Sequence, residues 1–170
     1  MWRSPPELAM NLEQQLQILV DQAPKDGVTP NVIAKAVNPV LKSFATQLKH
    51  NEYFAYQSVQ GNWLLTTLSN RRDPMLEKKV IYAFTTLEDA KLFEQMEGDR
   101  PDPDLTAQLI PVTHILFQLF ALKKLDSIVF LETAGDLNNG TEVHRRDLQG
   151  AIQKKLKQYK QEKSDSTRLA

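Results

Sequence analysis

Apolar residues at Leu8, Leu12, Leu16 and Leu19 are spaced by four, four and three, which sets them on one stripe of a helix. Ser4-Pro5-Pro6-Glu7 ahead of them has the form of a capping box, with Pro5 at the first helical position. Gln14, Gln15, Gln17 and Asp21 occupy the other faces, and Pro24-Lys25-Asp26-Gly27 ends the helix. A second helix is predicted from Thr29-Pro30 to Lys49, with a stripe of Ile33, Val37, Val40, Leu41, Phe44 and Leu48. Pro39 lies inside it and should kink it, or split it with Asn38 capping the second half; the unbroken stripe favours the kink. The two helices form an antiparallel hairpin.

After Lys49 the helical period stops. Glu52 to Val59 is aromatic-rich, Gln60-Gly61-Asn62 is a turn signal, and Trp63 to Leu68 is again β-prone, which together predict a β-hairpin. Alternation puts Tyr53 and Ala55 on one face of the first strand and Phe54 and Tyr56 on the other. A polar loop from Ser69 to Pro74, containing Arg71 and Arg72, leads to a third strand, Lys79 to Phe84. Thr85-Thr86-Leu87-Glu88 opens a helix with Leu87, Ala90, Phe93 and Met96 inward, ending near Gly98. An acidic loop, Asp99 to Asp104, precedes a fourth strand, Leu105 to Ile110, and a short helix capped by Thr113. The continuous apolar run in Asp126 to Leu131 predicts a central strand buried on both faces. A loop from Ala134 to Thr141 and a last helix from about Arg146 to Lys163 complete the chain.

The pattern therefore predicts an α+β fold: an N-terminal helical hairpin followed by a mixed β-sheet with helices packed on it. Residues 1–49 read as the hairpin attachment, 50–163 as the α+β domain and 164–170 as a disordered tail. A length of 170 residues suits that size, and 41% apolar with 25% charged residues belongs to a globular chain. Twenty-one basic and twenty-one acidic residues cancel, so no overall field draws the protein to nucleic acid or an anionic membrane. The distribution is uneven: residues 1–84 carry nine basic and seven acidic groups, 85–140 four and ten, 141–170 eight and four. The longest apolar run, Ile115 to Leu122, is interrupted by Gln118 and is too short to span a bilayer. The start has no apolar signal-peptide core, so a cytoplasmic protein is expected.

Motifs for chemistry are sparse. Without cysteine there is no disulfide, thiolate nucleophile or cysteine metal site. His50, His114 and His144, separated by 64 and 30 residues, match no local metal motif. His144-Arg145-Arg146-Asp147-Leu148 is similar to the kinase catalytic loop, but it has an extra Arg and the chain has no Gly-rich phosphate loop or D-F-G. Asp102 and Asp104 lie in an exposed loop unsuited to acid–base work. No catalytic residue, cofactor or metal is expected. Binding surfaces remain: the aromatic set Tyr53, Phe54, Tyr56 and Trp63 as candidate partner-binding residues, the Arg71-Arg72 loop, and the last helix with Lys154, Lys155, Lys157, Lys160 and Lys163. Lysine near a helix C-terminus is also what the helix dipole favours, so nucleic-acid binding is not the preferred reading of that helix.

Val80-Ile81-Tyr82-Ala83-Phe84-Thr85-Thr86-Leu87-Glu88-Asp89-Ala90 resembles the strand, F-T-S, acidic-Ala helix signature of SseB-type N-terminal domains. The surrounding order is similar over residues 52–158, with Leu109-Ile110-Pro111-Val112 and Ile128-Val129-Phe130-Leu131 following. The chain departs from that pattern in its initial helices and at Asp136-Leu137-Asn138-Asn139, where a small Gly-rich loop is the rule. The resemblance implies protein interaction and secretion-linked regulation without a shared catalysis, and carries over no site residue. A second resemblance is to the soluble intermembrane-space component of the chloroplast import translocon, which would imply a role in preprotein passage. The expected function is a non-enzymatic protein-interaction or regulatory protein with a protein partner, self-association being open. The alternative is a chaperone-like or translocation factor. The seam between the helical hairpin and the aromatic strand is where a partner or second copy is expected to bind, since residual apolar surface there needs cover.

Overall fold

The computed structural model describes residues 10–69, 72–73, 75–97 and 103–168. Ser4 to Glu7, Asn70, Arg71, Pro74 and the loop from Gly98 to Asp102 lie outside the described residues. Helix α1 (Leu12–Asp21) is capped by Asn11. The Asn11 carboxamide accepts from the Gln14 N–H at 2.9 Å, and the Gln14 side chain accepts from the Asn11 N–H at 3.0 Å. This reciprocal box closes two of the free donors of the first turn. Met10 and Asn11 are not helical, so this helix does not continue from a cap at Ser4.

The second helix opens at α2 (Thr29–Val32). Asp26 caps it from three residues back. Its carboxylate accepts from the Thr29 hydroxyl at 2.6 Å, the Thr29 N–H at 2.7 Å and the Val28 N–H at 2.9 Å, and these bonds lower its pKa to about 2. Gly27, at φ +83°, makes the turn between them. The helix then widens into a π-helical stretch, Ile33–Val37, and resumes as α3 (Asn38–Thr46). Pro39 has no N–H for a regular ladder; the Asn38 N–H instead reaches back five residues to the Ile33 carbonyl. The wide turn absorbs the proline, so the helix is not split at Asn38. The Asn38 side chain is buried and donates to the Leu16 carbonyl at 3.0 Å, joining the second helix to the first.

Six strands form a mixed sheet: β1 (Glu52–Gln57), β2 (Thr66–Ser69), β3 (Glu77–Phe84), β4 (Thr106–Pro111), β5 (Ser127–Leu131) and β6 (Thr141–His144). The order is β4-β1-β3-β5-β6, with β3 and β5 parallel and the other pairs antiparallel. The expected hairpin of β1 with the Trp63–Leu68 run does not form as a strand pair. The Gly61 turn does reverse the chain, and Gln57 bridges Trp63. Both edges of β1 are already occupied, however, by β4 along its whole length and by β3 at Phe54–Phe84. The returning chain therefore moves on and pairs as β2 with the first half of β3. β6 lies within the segment that the sequence divides between a loop and the start of the last helix.

The two sheet faces are covered unequally. Tyr53, Ala55, Ile81, Ala83, Ile128 and Phe130 face α1, the second helix, α5 (Val112–Ala121) and α6 (Arg145–Arg168) in one continuous core. Leu16, Leu19, Ile33, Val37 and Leu41 belong to that same core. The opposite face, with Tyr56, Phe84 and Leu131, packs on α4 (Leu87–Glu97) through Ala90 and Phe93. Phe84 and Val129 thus lie across the sheet from Ile81, Ile128 and Phe130. Thr86, not Thr85, caps α4, accepting from the Asp89 N–H at 3.1 Å. Leu87 and Met96 consequently turn to solvent. Pro111 rather than Thr113 precedes α5, and Thr113 is buried. α6 continues through Ser164 to Arg168 where a disordered tail was expected; its sequence beyond Gly150 has neither Gly nor Pro to stop it.

Gln15 has no solvent exposure. Its amide nitrogen donates to the Met10 and Asn51 carbonyls, each at 3.1 Å. Its oxygen accepts from the Thr113 N–H at 3.2 Å and the Thr113 hydroxyl at 2.9 Å. Arg145 makes a second link: its guanidinium donates to the Lys123 and Leu122 carbonyls after α5, the latter at 3.0 Å. Gly140 has the tightest backbone approach, since a Cβ there would sit 2.9 Å from a Val129 methyl and 3.0 Å from the Phe130 carbonyl oxygen.

We expect Phe130→Ala to lower stability by about 3–5 kcal/mol, the usual loss for a buried aromatic. A loss below about 1 kcal/mol in urea unfolding would contradict its place in the core. Gln15→Leu leaves buried donors and acceptors without partners and should cost at least about 2 kcal/mol in the same assay. Near-neutrality would show that these bonds carry no net stability.

Candidate functional site

The four aromatic candidates do not share a surface. Tyr53 is fully buried, and its hydroxyl donates to the Glu132 carboxylate while accepting from the His50 N–H at 3.2 Å. Burial, with the adjacent Glu132 carboxylate second, raises the Tyr53 pKa well above the ordinary phenol value. Tyr56 is also buried, on the opposite face, its one hydroxyl proton placed between two acceptors, the Ala90 carbonyl at 2.8 Å and the Glu94 carboxylate at 2.7 Å. Phe54 is half-buried beside Tyr56 and Phe84. The alternation along β1 is as read from the sequence, but both faces are covered because both carry helices.

Trp63 is different. Half-buried, it forms one wall of a groove of about 450 Å³ between the end of α1, the start of the second helix and α5. The apolar lining is Leu19, Ala23, Pro24, Ile33, Trp63, Ile110, Phe117 and Phe120; the polar lining is Gln22, Thr29, Gln57, His114 and Gln118. Among the described residues no Asp, Glu, Lys or Arg lines it. α5 explains the floor: Val112, Ile115, Leu116 and Leu119 turn into the core, while Phe117 and Phe120 are left for its outer side. Phe120 remains 39% exposed. A helix apolar nearly all round is normally buried all round, and that surplus was the one sequence signal for this groove.

The polar groups have defined roles. His114 donates from Nε2 to the Gln15 carbonyl at 3.1 Å, which leaves Nδ1 as the acceptor of the neutral ring. Burial holds its pKa below the ordinary imidazole value of 6.5, against a smaller opposing effect of that hydrogen bond. Gln118 donates to the His114 carbonyl at 3.0 Å. The other two histidines are elsewhere: His50 Nε2 bonds the Glu132 carbonyl at 3.0 Å, and His144 lies 3.8 Å from Glu142. Among the described residues no three His, Cys, Asp or Glu side chains are grouped so as to hold a metal ion. Nor is any helix among them long and apolar enough to cross a membrane.

Sequence reasoning placed Trp63 in the candidate set but missed Gln22, Gln57, His114, Gln118 and Phe117 as its neighbours, because they come from three separate stretches of chain. No family profile and no curated protein matches this chain.

The depressed His114 pKa fixes the sign of one pH effect. The unfolded chain takes up the proton at higher pH than the folded one, so this group's contribution is present above pH 6.5 and is lost as pH falls below it. The unfolding midpoint should decline below that pH, and His114→Gln should flatten that part of the profile. An unchanged slope in the variant would remove His114 as the cause.

Proposed function

We propose that this is a non-enzymatic protein-interaction module of the cytoplasm that holds a neutral, apolar segment of a partner protein in the Trp63–Phe120 groove. The observation carrying this reading is the lining itself: an aromatic floor beside amide side chains, with no Asp, Glu, Lys or Arg among the described residues. Aromatic side chains are enriched among the anchors of protein interfaces. The Gln22 and Gln57 side chains make no hydrogen bond among the described residues and have both donors and acceptors for a peptide backbone. Amides orient a ligand but do not exchange protons near neutrality, and the one imidazole of the described lining, His114, is tied through Nε2 to the Gln15 carbonyl, which favours binding over acid–base catalysis. The resemblance of Val80 to Ala90 to SseB-type N-terminal domains points the same way, toward regulation by protein contact.

A photo-crosslinking residue placed at Phe120, on the exposed edge of the groove, tests the reading. In native extract it should give a discrete adduct to one protein, suppressed by excess unlabelled wild-type protein but not by the Phe120→Arg variant. Equal suppression by the variant, or no discrete adduct, would overturn the proposal. An adduct to this same chain would identify the partner as a second copy.

A further inference from the structure

A second cleft, of about 300 Å³, runs between α3 and α6. Its floor is Pro39, Val40, Phe44 and Ala151, and Lys154 and Lys155 stand on the α6 rim. Both lysines are exposed, and neither has a carboxylate partner among the described residues. The same holds for Lys157 and Lys160 further along α6. The opposite rim is neutral: Ser43 is there, while Lys42 is drawn away to Glu13 at 2.5 Å. The cleft is thus apolar at its base and positive on one side only.

Among the described residues no carboxylate pairs with Lys154 or Lys155. α4, with much of the acidic middle segment, packs on the other face of the sheet. Elsewhere on the protein, Glu132 receives the Lys49 N–H and the Tyr53 hydroxyl, Asp126 receives the Lys79 N–H at 2.8 Å, and Glu142 pairs with Lys78 and Ser127, so these carboxylates are already engaged. We propose that the α3–α6 cleft binds an acidic amphipathic segment of a partner protein, its apolar side chains on Phe44 and Val40 and its carboxylates against Lys154 and Lys155. A nucleic acid would use the lysines but gain nothing from the apolar floor. A membrane surface is flat and would not enter a concave cleft. An amphipathic peptide with acids on one flank matches both the floor and the one-sided charge.

The test uses the full chain and a fluorescein-labelled synthetic peptide with a leucine stripe at helical spacing and Glu on one flank. Its control has Gln in place of every Glu. We expect binding of the Glu peptide by fluorescence anisotropy, weakening with added salt, and much weaker binding of the Gln peptide. Lys154→Glu with Lys155→Glu should reduce affinity by about tenfold or more. Ser43→Trp, which fills the cleft from an exposed position, should reduce it comparably without changing the urea midpoint. Absence of binding, equal binding of the two peptides, or indifference to Ser43→Trp would each overturn the proposal. So would tighter binding of phosphatidylserine vesicles or duplex DNA that is likewise indifferent to Ser43→Trp, since the site would then be a charge patch alone.

Discussion

The Gln15 carboxamide, with both N–H bonds and both oxygen lone pairs engaged and no exposure to solvent, joins three parts of the chain that are far apart in sequence. It receives the free N–H at the start of α5, holds the Asn51 carbonyl at the entry to β1, and closes back on the chain before α1. An amide brought out of water into an apolar core is tolerated only when it is fully bonded, so each of these elements must be in place for the others to be stable. His114 adds to the same point through the Gln15 backbone carbonyl. The position of α5, and with it one wall of the groove, follows from this contact.

The sheet is organised around the fact that β1 and β3 have no free edge. β3 has β5 on one side and β1 and β2 in succession on the other. β1, between β3 and β4, is interior, and so its aromatic residues are core on both faces. Aromatic side chains that do not enter the core sit at its margins: Trp63 in the turn after β1, and the Phe117–Phe120 side of α5.

Two clefts lie along the same continuous helix from Thr29 to Thr46. The first, at its start, is neutral and amide-lined; the second, at its end, is bordered by lysines of α6. The π-helical stretch carries the helix past Pro39 without a break, and Ile33 at its start and Val40 beyond its end each reach both the core and a cleft. A break at Asn38 would have separated these surfaces, and would have removed the Asn38 contact to Leu16.

Periodicity and turn signals alone determined the α+β class, two N-terminal helices, the strands read from Glu52, Lys79, Leu105 and Asp126, and the inward and outward alternation of Tyr53 to Tyr56. These are local properties: 3.6- and 2-residue periods are set by the backbone, and they are legible wherever one face is apolar. Strand partners were not legible, because pairing depends on which edges are still free once β4 and β3 have taken β1. The Thr66–Ser69 run therefore looked like the mate of β1 and became the mate of β3. Gln15 read as a surface residue for the same reason: a polar side chain in a helix is placed outside by composition, and only the arrival of Thr113 and Asn51, 98 and 36 residues away, makes its burial favourable. The groove belongs to this second class. Its lining comes from the end of α1, the second helix, the end of β1 and the Trp63 turn, β4 and α5, so it exists only after long-range contacts have brought those segments together.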